Sequence, residues 1–185
     1  MIQELIVPQK EIPKHLKIQI LSFLRIQWPK GFMGKNRLRD WISEEELHGI
    51  SILYFDRDVL ISHAQIVWKY LTHAEKTYTT YGLTAVFTYP DFQGQGYGRR
   101  IVKQGTDYID SRDADLGMFH CDNRLKKFYE DLGWTPMETA VTYIGPEENP
   151  FLSRELLIMR FLSDHGQKGR SDFERKPFYF GEDTW

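Results

Sequence analysis

The spacing of hydrophobic positions changes several times along this chain, and each change predicts a new element. Over residues 13–27 apolar side chains recur every three or four positions, which predicts a helix that begins at Pro13 and ends before Pro29. Residues 37–47 predict a loop that enters a short polar helix. Three segments rich in β-branched and aromatic residues follow and predict antiparallel strands: 50–55, 59–70 and 77–88.

The second half of the chain predicts alternating helices and strands. Residues 97–112 place their apolar side chains on one side of a helix, residues 116–120 predict a short strand, and a third helix runs from Asp122 to Gly133. Two more strands are expected at 139–144 and 155–162, a turn at 145–150, and a polar loop at 163–176. The predicted class is α+β (mixed α/β), with one domain over residues 1–185 and a mixed, mostly antiparallel sheet carrying helices on both faces.

The composition narrows the range of partners. Among 185 residues, 24 Lys and Arg nearly balance 26 Asp and Glu, so no global field attracts nucleic acid. A single cysteine, Cys121, excludes an internal disulfide. The N-terminal segment lacks the pattern of a secretory leader, and no window reaches ~18 apolar residues. These features predict a cytoplasmic protein without nucleic-acid or membrane partners.

A glycine-rich turn at residues 93–100 follows a predicted strand and opens an amphipathic helix. Several backbone N–H groups lack intrahelical partners at a helix N-terminus, and the helix dipole leaves partial positive charge there. Small residues let a phosphate approach this backbone closely, so the turn predicts a pyrophosphate site. An ordinary glycine-rich connection between a strand and a helix is the alternative interpretation.

Two common phosphate motifs do not fit this turn. A Walker loop ends in Gly-Lys-Ser/Thr, whereas this turn ends Gly98-Arg99-Arg100. A dinucleotide fingerprint needs a third glycine at the sixth position, and counting from Gly94 that position is Arg99. The turn therefore argues against nucleoside triphosphate and dinucleotide sites.

The pattern Gln93-x-x-Gly96-x-Gly98 resembles the motif by which GCN5-related N-acetyltransferases (GNAT) hold the pyrophosphate of acetyl-CoA. Residues 83–92 are similar to the fourth strand of that family, and residues 128–134 to the helix after its fifth strand. The resemblance implies acetyl-CoA as co-substrate, no metal, and a fourth strand that splays from the fifth. It assigns cofactor contacts to Gln93, Gly94, Gln95, Gly96, Tyr97, Gly98, Arg99 and Asn123.

The resemblance also implies how the thioester is held. It assigns Val86, Phe87 and Thr88 to cofactor binding, with the backbone N–H groups of Val86 and Thr88 directed to the thioester and the pantetheine. Gly82, inside a strand pattern, is compatible with a bulge that opens the sheet there. Tyr129 matches the tyrosine that hydrogen-bonds the CoA sulfur in the family, with an aromatic core residue as the alternative interpretation.

Further features resemble the aminoglycoside 2′-N-acetyltransferase branch of the family. They are His63-Ala64 in the third strand, Tyr129 followed by Gly133-Trp134, and the ending Asp183-Thr184-Trp185. In that branch a glutamate lies on the fourth strand, where this chain has Thr84. A threonine hydroxyl can position a water but cannot accept a proton at neutral pH. The base and the acceptor therefore stay open at this point.

Other candidates for the proton route lie on the fifth strand and in the tail. His120 has an ordinary pKa near ~6.5 and is a candidate base, with a partly buried strand histidine as the alternative. The tail, residues 163–185, is expected near the active site, with Asp183 and the carboxylate of Trp185 binding or deprotonating a cationic amine; a frayed end is the alternative. Cys121 is not expected to be a nucleophile. Adjacent residues of a regular strand face opposite sides, so His120 and Cys121 cannot form a base–nucleophile pair.

These observations predict an N-acetyltransferase that moves acetyl from acetyl-CoA directly to a small primary amine, such as an aminoglycoside or a similar cationic amine. Thr84 keeps open a second hypothesis, a catalytically weak acyl-CoA sensor or partner module. A third, protein acetylation, requires an open groove for a peptide. The resemblance is also compatible with a homodimer.

Overall fold

This computed structural model contains ten strands and four α-helices in the part that it describes, residues 1–182 and residue 185. The strands are β1 (Gln3–Pro8), β2 (Ile50–Asp56), β3 (Val59–His73), β4 (Lys76–Thr88), β5 (Leu116–Cys121), β6 (Thr135–Pro136), β7 (Thr142–Ile144), β8 (Phe151–Leu152), β9 (Leu156–Phe161) and β10 (Phe178–Gly181). The α-helices are α1 (Lys14–Gln27), α2 (Tyr97–Asp110), α3 (Lys126–Glu130) and α4 (Asp164–Arg175).

Seven of these strands form one sheet in the order β1-β2-β3-β4-β5-β9-β6. The β1–β2, β2–β3, β5–β9 and β6–β9 pairs are antiparallel. Strands β4 and β5 are parallel, with Thr80 opposite Leu116 and Tyr81 opposite Gly117. The remaining three strands form a second sheet in the order β10-β7-β8. This architecture confirms the predicted α+β class and its mixed, mostly antiparallel sheet.

Contacts within the chain divide it into two compact units. Unit 1 consists of Met1–Val67 and Thr84–Gly105, and unit 2 of Trp68–Leu83 and Thr106–Trp185. Strands β3 and β4 and helix α2 each contribute residues to both units. The assignment of residues 1–185 to one domain stays a prediction.

The core of unit 1 lies under α1. Its four buried side chains repeat at helical spacing, as the sequence predicts, and Phe23 stacks on Phe87 of β4 with ring centroids 4.1 Å apart. Burying a large apolar side chain stabilises by about 1.5–3 kcal/mol, so this stripe fixes α1 on the sheet. The buried cluster comprises Ile12, Leu16, Ile20, Phe23, Leu24, Phe32, Ile42, Leu53, Leu60 and Phe87.

The core of unit 2 includes an aromatic group at β5. Phe119 makes edge contacts with Tyr129 and with Trp134, at centroid distances of 4.7 and 4.6 Å. The indole Nε1 of Trp134 donates a hydrogen bond to Thr106 Oγ1 at 2.9 Å.

The third predicted helix is shorter than expected. It consists of a 3₁₀ turn, Asn123–Leu125, and the helix α3.

The prediction of a polar loop at 163–176 is wrong, because this segment forms α4. Ser163 caps the helix by accepting a hydrogen bond from the Gly166 N–H at 3.0 Å. The buried face consists of Gly166, Gly169 and Phe173. Two glycines and one phenylalanine give too weak an apolar pattern for the helix to be apparent from periodicity.

Several short or exposed strands were also missed by the sequence analysis. Strand β1 pairs with β2 from Gln3 opposite Phe55 to Pro8 opposite Ile50. It is an edge strand whose faces are mostly exposed, so its residues do not alternate clearly between apolar and polar. The predicted strand at 139–144 covers only Thr142–Ile144 in the structure.

Replacing Gly166 by alanine should destabilise the protein by about 1–3 kcal/mol, the usual range for overpacking a filled interior. The new methyl group would collide with the carbonyl oxygen of Asp115, which belongs to the backbone and cannot rotate away. The sign of the change in unfolding free energy distinguishes the two effects, because alanine normally stabilises a helix relative to glycine by about 1 kcal/mol. Urea unfolding measures the difference, with Ser171→Ala at an exposed position of α4 as the control. A Gly166→Ala protein as stable as wild type would contradict this packing.

Candidate active site

The glycine-rich turn before α2 has the backbone conformation that its sequence suggests. Gly94 and Gly96 have φ angles of +75° and +84°, in the region that favours glycine. A Cβ atom at either position would meet nothing within 4 Å, so neither glycine is needed to avoid a neighbour. Both residues are exposed, and α2 begins at Tyr97. The turn therefore presents backbone to solvent at the N-terminus of a helix of 14 residues.

Two glutamine side chains brace this turn from within. Gln93 Nε2 donates to the carbonyl oxygen of Thr88 at 3.0 Å, and Gln95 Nε2 donates to that of Asp91 at 3.2 Å. Because both amides are engaged with the preceding segment, the contacts assigned to Gln93 and Gln95 would be made by their backbone. A Cβ at Gly98 would lie 3.5 Å from Thr88 Oγ1, an ordinary contact that the fold tolerates.

The regular backbone of β4 is interrupted at Ala85 by a positive φ angle. Ala85 has a φ angle of +50°, an uncommon value for a residue with a side chain. Gly82 has another role. A Cβ there would collide with the indole ring of Trp185 and with the carbonyl oxygen of Met118. The pairing of β4 with β5 ends at Tyr81, directly before Gly82, and the bulge at Gly82 stays a prediction. The space occupied by Trp185 is a further reason for a glycine there.

His63 of β3 contacts the interrupted part of β4. Its ring is fully buried, with Nδ1 2.8 Å from the carbonyl oxygen of Ala85 and Nε2 3.1 Å from Ser51 Oγ. Desolvation lowers the pKa of His63 to about 4, opposed by the hydrogen bond to Ala85. The ring is therefore neutral at pH 7. Because a carbonyl only accepts, Nδ1 carries the hydrogen and Nε2 accepts from Ser51.

The predicted residues of β4 differ in exposure. Thr84, Val86 and Thr88 are partly exposed, whereas Phe87 is buried against Phe23. The contribution of Phe87 to a ligand would therefore come from its backbone. These residues and the turn at 93–99 belong to unit 1, and the other described candidates, His120, Asn123, Tyr129 and Trp185, to unit 2.

Tyr129 lies in α3 and is buried, with 4 % of its surface exposed. Desolvation raises the pKa of its phenol, and the nearby Cys121 raises it further. The hydroxyl therefore keeps its proton more firmly than an ordinary tyrosine. It is suited to donate a hydrogen bond and unsuited to transfer a proton. Asn123, in contrast, is exposed at the start of the 3₁₀ turn.

His120 lies buried on β5, with its ring 4.8 Å from that of Phe180 in an edge arrangement. Neither ring nitrogen has a hydrogen-bond partner among residues 1–182 and 185. Desolvation, and then the charge of Lys69, lower the pKa of His120 to about 4. The imidazole is therefore neutral at pH 7 and is a weaker base than free histidine.

Cys121 follows His120 on β5 and is also buried. Desolvation raises the pKa of the Cys121 thiol to about 12, and the carboxylates of Glu155 and Asp122 contribute. The thiolate, which is the nucleophilic form, is therefore scarce at neutral pH. This agrees with the expectation that Cys121 forms no acyl-enzyme.

The end of the chain is anchored on β5. Trp185 is buried, and its main-chain oxygen accepts a hydrogen bond from the backbone N–H of His120 at 2.7 Å. Lys69 Nζ lies 5.1 Å from the Trp185 ring centroid and 4.0 Å from that of Phe180, and it donates to the Phe180 carbonyl. A frayed end is therefore excluded for Trp185. Asp183, the other predicted tail residue, lies outside the described residues. Lys69 and Phe180 were not singled out by the sequence analysis, since neither belongs to a motif.

Residues 7–137 match the family described as acetyltransferase (GNAT) domain. The chain belongs to the GNAT acetyltransferase family. Members of this family use acetyl-CoA as co-substrate, so the protein is an acetyl-CoA-dependent N-acetyltransferase. The matched segment includes the turn at 93–100, β4 and Tyr129. A search of curated protein sequences gives no match.

Several solved structures have a similar fold. ElaA of Escherichia coli superimposes with a TM-score of 0.59 at 15 % identity, covering 86 % of this acetyltransferase and 99 % of ElaA. An acyl-CoA N-acyltransferase of Pseudomonas aeruginosa gives 0.58 at 11 % identity, with 86 % and 99 % covered. An aminoglycoside 6′-N-acetyltransferase complexed with coenzyme A gives 0.57 at 14 % identity, with 86 % and 97 % covered. At these identities the likeness concerns the fold.

The described residues include neither a membrane-spanning helix nor a metal-binding cluster. No helix within residues 1–182 is long and apolar enough to span a membrane. Among the same residues and residue 185, no group of three His, Cys, Asp or Glu side chains is arranged to hold a metal ion.

Stability should fall between pH 7 and pH 5, and His120 should account for about 2 kcal/mol of the fall. Its pKa is about 4 in the folded protein and near ~6.5 when unfolded, so the unfolded chain binds more protons in this window. Stability is therefore lost as the pH decreases. Urea unfolding at both pH values measures the slope, and His120→Leu should flatten it by that amount. An unchanged slope in the variant would argue against a buried, neutral His120.

Proposed function

We propose that this acetyltransferase transfers acetyl directly from acetyl-CoA to the primary amine of a small cationic molecule, an aminoglycoside or a similar amine. The observation that carries the proposal is the exposed glycine turn at the start of α2, immediately after the interrupted strand β4. An exposed helix N-terminus with glycine backbone in the left-handed region is suited to a pyrophosphate. The 2′-N-acetyltransferase branch supplies the suggestion of an aminoglycoside.

In this proposal three groups of residues each bind a different part of acetyl-CoA. The pyrophosphate binds the backbone of residues 93–99, with the positive end of the α2 dipole behind it. The pantetheine and thioester contact the backbone of residues 86–88. Tyr129 donates a hydrogen bond to the sulfur, and Asn123 completes the cofactor contacts.

The reaction is an attack of the neutral amine nitrogen on the thioester carbon. A C–N bond forms, the carbonyl oxygen takes up negative charge, and the C–S bond then breaks to release the CoA thiolate. The N–H groups of Val86 and Thr88 stabilise the negative oxygen and orient the pantetheine. Because its pKa is raised, Tyr129 stabilises the thiolate by hydrogen bonding without giving up its proton.

The amine proton needs an acceptor, and the candidates have different strengths. His120 is neutral and able to accept at pH 7, although its lowered pKa makes it a weak base. Thr84 is partly exposed and is assigned to hold a water and the substrate. The carboxylate of Asp183 and residue Trp185 are assigned to binding the cationic amine. A negatively charged group at that position would favour the ammonium form of the substrate.

A second candidate function, an acyl-CoA sensor with little turnover, is favoured by two observations. Thr84 stands where the resembling branch has a glutamate, and the pKa of His120 is about 4. Both features weaken general-base catalysis while leaving the cofactor turn intact. Turnover with amines separates this candidate from the enzyme.

Calorimetric titration should show micromolar binding of acetyl-CoA, followed by thiol release when an accepted amine is added. Gly96→Ala should weaken acetyl-CoA binding at least about tenfold, because a side chain at φ +84° strains the turn and obstructs its backbone. Aminoglycosides, polyamines and amino acids form the amine panel.

Gly34→Ala is the matched control for Gly96→Ala. Gly34 also has a positive φ, +55°, and a Cβ there meets nothing within 4 Å, so the backbone strain is similar. Its acetyl-CoA affinity should equal that of wild type. Binding without turnover would favour the sensor, and absence of binding to wild type would refute the proposal.

Tyr129→Phe should lower kcat by about 100-fold while changing the affinity for acetyl-CoA little, because the lost hydroxyl acts on the developing thiolate. Steady-state thiol release measures both quantities. Tyr143→Phe, at a position with 38 % exposure, is the control and should behave as wild type. Full activity of the Tyr129→Phe enzyme would remove the assigned role from this residue.

A further inference from the structure

Two adjacent side chains of β3 hold two carbonyl oxygens of β4. Ser62 Oγ donates a hydrogen bond to the carbonyl oxygen of Phe87 at 2.8 Å. His63 Nδ1 donates to the carbonyl oxygen of Ala85 at 2.8 Å. Ser62 Oγ also lies 2.9 Å from Thr88 Oγ1, and since its own hydrogen points to Phe87, Thr88 is the donor there. We call Ser62 and His63 the β3 clamp.

The β3 clamp lies beside the residue of β4 that has an uncommon backbone conformation. Ala85 has a positive φ, and residues with side chains in that region are disfavoured unless their surroundings impose it. His63 is fully buried and its second nitrogen is occupied by Ser51, so the ring has a fixed orientation. The strained residue and its support are therefore coupled through one short hydrogen bond.

Peptide geometry gives the clamp a consequence for the neighbouring N–H groups. In a planar trans peptide the C=O of one residue and the N–H of the next point in opposite directions. Holding the Ala85 carbonyl toward β3 therefore directs the N–H of Val86 to the other edge of β4. Holding the Phe87 carbonyl does the same for the N–H of Thr88. The alternation continues at Tyr89, whose N–H returns to β3 and bonds Ile61 O at 2.9 Å.

We propose that His63 and Ser62 are positioning residues for acetyl transfer, which aim the N–H groups of Val86 and Thr88 at the thioester and pantetheine. The inference rests on the proposed function, because it needs acetyl-CoA at that edge of β4. Neither side chain touches the reacting atoms. Each acts through a carbonyl oxygen that shares a peptide unit with an assigned donor.

The chemistry of the clamp explains why these residue types are present. A neutral imidazole offers one donor and one acceptor, which match the Ala85 carbonyl and the Ser51 hydroxyl. An apolar residue would still pack against Phe87, whose ring lies 5.5 Å from that of His63, but it would leave the partly buried Ala85 carbonyl without this donor. Glutamine retains a donor and an acceptor, so it is the conservative replacement.

The test compares His63→Leu, His63→Gln and Ser62→Ala with the wild-type enzyme. Two ligands are used: acetyl-CoA, and adenosine 3′-phosphate 5′-diphosphate, which has the pyrophosphate but no pantetheine or thioester. The control is His73→Leu, a second buried histidine of β3 whose ring packs against Phe173 and Phe178. Calorimetry gives the affinities, and thiol release gives kcat and KM.

His63→Leu should lower kcat/KM for acetyl-CoA about 100-fold, the order found when one oxyanion donor is lost, and Ser62→Ala about tenfold. The affinity for adenosine 3′-phosphate 5′-diphosphate should stay within about threefold of wild type, because the turn is untouched. His63→Gln should recover most of the lost kcat/KM. His73→Leu should match wild type within about threefold.

A double variant separates positioning from folding. Adding Ala85→Gly to His63→Leu removes the strain of the positive φ and should restore the unfolding midpoint. It does not restore the direction of the Val86 N–H group toward the thioester, so kcat/KM should stay low. Recovery of kcat/KM together with stability would overturn the inference, as would wild-type turnover by both His63→Leu and Ser62→Ala. If wild type binds neither ligand, the proposed function fails first and the inference falls with it.

Discussion

A single alanine in a disfavoured backbone conformation governs the most consequential part of unit 1. Ala85 interrupts β4 with a φ of +50°. This conformation costs free energy, which contacts from other parts of the fold have to offset. Its support comes from the buried, neutral ring of His63 on the neighbouring strand. The Phe23–Phe87 stack then fixes the following residues of β4 on the core under α1. These contacts together hold the Ala85 and Phe87 segment of β4 in place.

Burial shifts the pKa values of three residues in unit 2, and each shift favours the neutral form of the side chain. His120, Cys121 and Tyr129 all lose solvent, and in each case the shift favours the neutral form. At neutral pH none of these residues carries a charge or releases a proton easily. The proposed reaction therefore relies on aligned, neutral hydrogen-bonding groups rather than on a strong base.

Local patterns allowed correct predictions where the determinant lies within a few residues. The turn at 93–100 and the buried stripe of α1 depend on short spacings, and both have the predicted form. The positive φ of Ala85 was not predicted, because alanine carries no sequence signal for that conformation while glycine does. Helix α4 was missed because its buried face uses small residues that are complementary to other segments. The partner of a carbonyl, such as His63 for Ala85, follows only from tertiary structure.

Gly82 and Trp185 show how such complementarity offsets a local disadvantage. Glycine within a strand costs about 1 kcal/mol relative to alanine. A tryptophan buries about 200 Å² when it leaves water, equivalent to about 5 kcal/mol at 25 cal/mol per Å² as an upper estimate. Trp185 is 5 % exposed, so nearly all of this gain is realised, and the space for it depends on Gly82 lacking a Cβ. The burial term is the larger of the two, which explains why a glycine is tolerated in β4 at this position.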